Sequence, residues 1–197
     1  MNSDRLFYAY MYRLKYIERW SLMRNTTKEN VAEHSFHVAM TTHLLCTIAN
    51  EVFQRHIDTG QAVTMALFHD ATEVFTGDIP TPVKHHNPRI LSNFREIEQL
   101  AAERLVNMIP EEIRSVYEPL IHPEHDHELK RYVKAADLID AYLKCMFEVA
   151  AGNMEFKIAK EQAEERLHQL GMEEVDYFMT NLAPSFHMTL DEMSNLS

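Results

Sequence analysis

Met65-Ala66-Leu67-Phe68-His69-Asp70-Ala71-Thr72-Glu73-Val74 is the stretch on which the fold turns. Its apolar residues recur at helical rather than alternating spacing, which predicts a helix opened by Asp58 or Thr59, running through Ala66, Leu67 and Val74 and stopping near Gly77. The helix carries His69 and Asp70 straight after an apolar turn. An ionised Asp buried beside a His is costly unless something pairs with both, and a divalent cation would do so. Neighbours on a helix point about 100° apart. Such an ion must sit in the crevice between their directions and draw further ligands from other helices.

The helical period extends along the chain in both directions, and no alternating run is long enough for a strand, so an all-α fold is expected. A first helix is predicted over Asp4 to Arg19, burying Leu6, Phe7, Tyr10, Met11, Leu14 and Ile17. After a polar loop from Ser21 to Glu29, Asn30 with Glu33 three residues on forms a capping box for a second helix, its stripe running through Val38, Leu45 and Ile48 to Val52. Thr76-Gly77-Asp78-Ile79-Pro80-Thr81-Pro82 is predicted to be a stiff non-helical loop, because each Pro biases its predecessor to extended backbone. Asn87-Pro88 opens a helix to about Asn107, and Pro110 opens a short one to about Glu118. A long helix follows from about Glu128 to Ala151, ended by Gly152. Asn153 caps another to Leu170, and the tail adds a short helix before Pro184. No linker or repeat divides residues 1–197, which read as one domain.

Composition narrows the function. Four glycines in 197 residues fall far below the roughly 7% of average proteins. Neither G-x-G-x-x-G nor G-x-x-x-x-G-K-[ST] occurs, so a bound anion must be held by side chains or a metal rather than a backbone cradle. A net charge of −11 argues against nucleic acid polymers as partners. Cys46 and Cys145 lie in apolar helical settings without a Cys-x-x-Cys and read as buried free thiols. No uncharged apolar run approaches the ~18 residues of a membrane span, so a soluble, cytoplasmic protein is expected.

Partners for His69 and Asp70 are available on other helices: His34 on the second, and Asp137 or Asp140 on the long one, all among apolar neighbours. Each alone has a plainer account, His34 as a hydrogen-bonded core residue and Asp140 as a solvated or capping group. His37, three residues from His34, competes with it as a ligand. Arg19 on its own complements the end of its helix, and Trp20 packs.

The order His34, His69-Asp70, Asp137 resembles the H…HD…D signature of the HD-domain superfamily of metal-dependent phosphohydrolases. Within it the chain is similar to the bacterial 5′-deoxynucleotidases. The likeness is carried by Ile17 to Asn25, Asn30 to Ser35, Phe68 to Val74, Thr76 to Lys84 and Pro184 to His187. It implies an all-α HD-domain helical bundle with the metal site between helices, a homodimer, and hydrolysis of deoxyribonucleoside 5′-monophosphates to deoxynucleoside and phosphate. It also implies one divalent metal on His34, His69, Asp70 and Asp137, with His34, Asp70 and Asp137 facing the substrate too. Two imidazoles and two carboxylates suit Co, Mn, Zn, Fe or Ni, and affinity order does not choose among them.

With the resemblance, Arg19 and Trp20 are expected to position phosphate and sugar, and Asp78, Ile79, Pro80 and Thr81 to form a preformed wall of the site. Glu73 is expected on the same helix face as His69 and Asp70, either as the base for the attacking water or as a partner orienting a ligand imidazole. Asp78 is expected to bind a sugar hydroxyl or to help protonate the leaving oxygen. Other HD relatives act on triphosphates or alarmones. The first would want more cations than Arg19, Arg24 and Lys84, and the alarmone hydrolases have an acidic pair where this chain has Glu73-Val74. A non-catalytic, metal-dependent binding protein is the alternative from outside the enzymes. The His122 to His127 loop and Glu165-x-x-His168 offer weaker metal-binding patterns.

Overall fold

The computed structural model describes residues 5–84, 86–122 and 128–195, and among them it is helical with no strand beyond one isolated bridge. Two long helices form its axis, α2 (Val31–Glu51) and α8 (Lys130–Ala150). The Asn30 side chain accepts N–H bonds from Ala32 and Glu33, and Glu33 accepts the Asn30 N–H in return, an N-cap worth about 1 kcal/mol. At the other end of α8, Gly152 takes the left-handed φ of 86° that stops it. α3 (Thr59–Phe68), capped by Asp58, packs with both. Ala39, Ala49, Ala62, Ala66, Ala135 and Ala136 lie in their shared core with Leu45, Tyr132 and Ile139.

A second core gathers Phe7, Ala102, Leu105, Val106, Ile109 and Ile121 from α1 (Phe7–Met11), α6 (Pro88–Val106), α7 (Glu111–Ile121) and their flanks, with Ala71 from the turn that follows α3. Phe7 meets the edge of Tyr117 at 5.1 Å. Ala66 belongs to the first core and Ala71 to the second. His69 and Asp70 therefore lie on the junction between them.

Several predicted boundaries change. The expected first helix is only α1 and a 3-10 turn at Leu14–Tyr16, because Ile17 is extended and residues 17–19 pair with 29–31. Val31 N–H reaches the Ile17 carbonyl at 3.0 Å, and Arg19 N–H reaches that of Glu29 at 2.9 Å. Asp4 lies outside the described residues. The third helix breaks after Phe68, since the His69 ring takes the Ala66 carbonyl at 2.7 Å that the next helical N–H would use. The chain tightens into three-residue turns before α4 (Glu73–Thr76). Gly77, at φ 70°, ends α4. Only Gly77 to Pro80 is free of helix, because Pro82 falls in the first turn of α5 (Thr81–Lys84), where its missing N–H costs nothing. α7 continues past Pro119, held by buried Ile121. Asn153 caps a 3-10 turn, Met154–Phe156, that leads into α9 (Lys157–Gln169). The tail holds α10 (Glu173–Asn181), a 3-10 turn through Pro184, and α11 (Leu190–Ser194), which Thr189 and Glu192 start with a second capping box. Cys46 and Cys145 are buried free thiols, both pushed up to about 12 by burial. No described helix is long and apolar enough to cross a membrane.

Glu148 fastens the loop between residues 21 and 29 to α8. Its carboxylate is 1% exposed and accepts N–H bonds from Thr26 and Thr27, the Thr26 hydroxyl at 2.7 Å, Asn153 Nδ2 at 2.8 Å and the ammonium of Lys144. Burial opposes its ionisation, but Lys144, Thr26 and Asn153 outweigh burial and hold its pKa below the ordinary carboxylate range. Glu148→Ala leaves Lys144 buried without its charged partner, holding only the Thr27 carbonyl, and is expected to cost about 3 kcal/mol in urea unfolding. Because the folded pKa is depressed, this contribution is complete above the ~4.3 of an unfolded Glu and fades as pH falls below it. The gap between wild type and variant should therefore narrow in acid.

Candidate active site

α2 and the α3–α4 junction bring two imidazoles together, with ring centroids 5.2 Å apart and planes tilted by 56°. Each is anchored through Nδ1. His69 Nδ1 faces the Ala66 carbonyl, which can only accept, so Nδ1 carries a proton and in the neutral ring it is Nε2 that presents a lone pair. His34 Nδ1 lies 2.7 Å from Asp140 Oδ2 and is fixed the same way by a carboxylate. Both Nε2 atoms are buried with no hydrogen-bond partner.

What they face is negative. Asp70 Oδ2 lies 3.4 Å from His34 Nε2 and 3.2 Å from His69 Nε2, and Asp137 Oδ1 lies 3.2 Å from His34 Nε2. Lone pairs set against carboxylate oxygens repel unless positive charge lies between them. Burial lowers the pKa of His34, but Asp137, Asp140 and Asp70 outweigh it and hold that pKa well above the usual value. His69 is raised in the same way by Asp70 and Asp137 against burial. An N2O2 donor set with anchored imidazoles, unpaired nitrogens and surplus negative charge fits a divalent transition metal. His34 is 0% exposed while the Asp137 side chain is 45% exposed, so the cluster opens to solvent on the α8 side.

Arg19 and Glu73 flank this cluster. The guanidinium of Arg19 donates through Nε to Glu29 Oε1 at 2.6 Å, and its Nη1 stands 3.9 Å from Asp70 Oδ2. Burial disfavours its charge, but Glu29, Asp137, Asp78 and Asp70 more than restore it. Glu73 belongs to α4 and not to the helix bearing His69. Its Oε2 is buried without a partner, and burial, then the charges of Asp70 and Asp78, push its pKa up to about 9. Asp78 Oδ2 accepts the backbone N–H of Trp20 at 3.3 Å, tying the Gly77 to Pro80 loop to the segment carrying Arg19. Trp20 sits at φ 56°, a left-handed backbone that a bulky residue adopts only where its surroundings compel it. Its indole lies 5.5 Å from Phe156, and its buried Nε1 is unpartnered.

The structure thus gathers His34, His69, Asp70, Asp137, Arg19, Trp20, Glu73 and Asp78. Ile79 lines a groove of about 340 Å³ with Phe75, Phe94, Ile97, Leu100 and Arg104. Pro80 and Thr81 serve the backbone, the Pro80 carbonyl accepting from Val83 and Lys84 as α5 begins. Arg19 does not complement its own helix end, since α1 stops at Met11. His37 is 56% exposed and lies 3.6 Å from Asp140, away from the unpaired nitrogens. Glu165 and His168 border an open surface of α9, and Pro123 to His127 lie outside the described residues.

One participant escaped the sequence reading, and another was named there as a possible ligand without the role it takes. Glu29 has no motif to mark it. Asp140 is neither solvated nor capping: it is 7% exposed and holds His34. Its signal is the i,i+3 pair Asp137/Asp140 facing the i,i+3 pair His34/His37 on the other axial helix. Asp140→Ala is expected to weaken metal binding by about 10- to 100-fold in a competitive chelator titration. A stoichiometric, full-affinity metal in that variant would remove Asp140 from the site.

Known proteins resemble the chain along most of its length. The family described as 5′-deoxynucleotidase YfbR-like matches residues 6–186. A 5′-deoxynucleotidase of Cronobacter sakazakii is 47% identical over 193 residues, 98% of this chain and 97% of that protein. 5′-deoxynucleotidase YfbR of Escherichia coli is 48% identical over 190 residues, 95% of each. Among solved structures, an HD-domain phosphohydrolase from Listeria innocua superposes with a TM-score of 0.81 at 21% identity, covering 95% of this chain and 91% of that one. The cyanophage S-2L HD phosphohydrolase DatZ, bound to dA and one catalytic Zn2+, gives 0.61 at 24% identity, covering 92% and 96%.

Proposed function

The chain belongs to the YfbR-like 5′-deoxynucleotidase family of HD-domain phosphohydrolases, and from that premise we propose how its residues divide the hydrolysis of deoxyribonucleoside 5′-monophosphates to deoxynucleoside and phosphate. The observation that carries the reading is the pair of buried, unpaired Nε2 atoms of His34 and His69, aimed at the carboxylates of Asp70 and Asp137 beside a guanidinium.

His34, His69, Asp70 and Asp137 hold one divalent metal, of which Co, Mn, Zn, Fe and Ni all suit the donor set. When bound, such an ion supplies a water of lowered pKa and a Lewis acid for a phosphoryl oxygen. Arg19 presents its Nη edge to the remaining phosphate oxygens, a planar donor fork matched to that group. Burial first, then the charges of Asp70 and Asp78, favour the neutral form of Glu73, and its buried, unpartnered Oε2 is the atom that in the ionised form would take the proton of the attacking water. Asp78, with Oδ2 accepting from Trp20, has its other oxygen to accept a sugar hydroxyl or, in its protonated form, to give a proton to the leaving 5′ oxygen. The Trp20 indole, fixed by its backbone, packs against the sugar. Ile79, Pro80 and Thr81 offer the wall beside it through their backbone, since the Ile79 side chain lines the groove with Phe75 and Arg104.

The same reading takes residues 1–197 as one HD domain, acting as a cytoplasmic homodimer on a small nucleotide. Phosphate release from a panel of deoxy- and ribonucleoside 5′-monophosphates, with Mn, Co and Zn in turn, tests it. Turnover of the deoxy substrates above the ribo ones is expected. No turnover with any metal would leave a binding protein, and equal rates would remove the deoxy preference.

A further inference from the structure

Arg19 stands among the carboxylates of Asp70, Asp78 and Asp137. A guanidinium free to turn there would close on one of them, taking a carboxylate from the metal and its own donors from phosphate. The structure prevents this. Nε is engaged by Glu29 at 2.6 Å, and Nη1 is held 3.9 Å from Asp70, beyond hydrogen-bond distance.

Glu29 is itself built in. Its side chain is 13% exposed, its carbonyl takes the Arg19 N–H, and the next residue is the N-cap of α2. Two and three residues earlier, Thr27 and Thr26 are fastened to Glu148. Because a guanidinium is planar, fixing its backbone and its Nε edge fixes the direction of its Nη edge.

We propose that Glu29 is a positioning residue for the hydrolysis: it holds Arg19 by the Nε edge so that the Nη edge stays open to a phosphate oxygen instead of closing on Asp70. This rests on the reading of Arg19 as the phosphate-binding group. Glu29 also has an oxygen within 4.8 Å of His34 and Asp140 donor atoms, so a direct role toward the metal is the competing account.

The test combines phosphate release from a deoxyribonucleoside 5′-monophosphate with metal analysis. Glu29→Met keeps the approximate shape and removes the acceptor that holds Nε. It is expected to lower kcat/KM by about 10- to 100-fold, as a misplaced catalytic group does, with bound Mn, Co or Zn per chain unchanged. In an Arg19→Ala background the same change should add no more than about twofold, because the two residues act as a unit. Added guanidinium chloride at low concentration should partly restore Arg19→Ala while Glu29 is present, and not once it is Met. Wild-type rates in Glu29→Met, additivity with Arg19→Ala, or loss of metal would each overturn the proposal. Full activity in Arg19→Ala would instead sink the phosphate role of Arg19 itself. If Glu29→Met does not fold, Arg19→Lys, which keeps the charge and lacks the Nε edge, should show the same loss, and full activity in it would overturn the inference.

Discussion

Asp70→Ala should release the bound metal and reduce phosphate release by at least ~10³-fold, well beyond the 10- to 100-fold that losing a partner of a ligand costs. Asp70 Oδ2 is the atom on which the site converges, within 3.4 Å of both unpaired imidazole nitrogens and 3.9 Å from Arg19. Burial works against its charge, but His69 and His34 hold its pKa well below the ordinary carboxylate range, so it is a ready anionic ligand at neutral pH. Alanine leaves the two imidazoles with only Asp137, and Arg19 without the charge that faces it. Metal analysis and a melting curve separate this from unfolding. A folded variant that keeps one metal per chain and near-normal activity would move the centre to the other cluster of possible donors, Glu29, His34 and Asp140.

Glu73→Gln should lower kcat by about 10²- to 10⁴-fold, the range of a lost general base, with metal content unchanged. Gln fills the same space and can still orient a neighbour through hydrogen bonds, but it cannot take a proton. The substitution therefore divides the two roles that the sequence left open. A variant with normal kcat would make Glu73 an orienting group only. Because burial and two nearby carboxylates already make ionisation of Glu73 costly, the exchange is expected to leave thermal stability equal or higher.

The helices most legible from sequence were those with local punctuation: Asn30 and Glu33 for α2, Asn87-Pro88 for α6, Gly152 for α8. The first helix misled because its apolar stripe is real. Phe7 and Leu14 are buried while Tyr8, Tyr12 and Tyr16 are exposed, yet the backbone leaves the helix to pair with residues 29–31. That long-range pairing leaves no trace in local periodicity. The break at His69 was hidden for a different reason, since it depends on where one imidazole finds an acceptor.

The His, His-Asp and Asp positions that the sequence singled out do come together. Spacing alone left Asp137 and Asp140 open, since residues three apart on a helix differ by only about 60° in direction; the resemblance chose Asp137, and the placement of α2 shows which of them reaches Nδ1 and which Nε2 of His34.

His34, Asp137 and Asp140 are carried by helices of one core, whereas Ala71, one residue beyond Asp70, packs into the other. Registry between the proposed metal ligands is thus a property of how the two cores seat against each other. A cavity opened at Leu105 or Ile109, in the second core, would shift Asp70 against His34 while leaving every ligand chemically intact. A loss of activity from such a substitution would report misalignment across the seam, and the enzyme's tolerance to change is set as much there as at the residues that bear the chemistry.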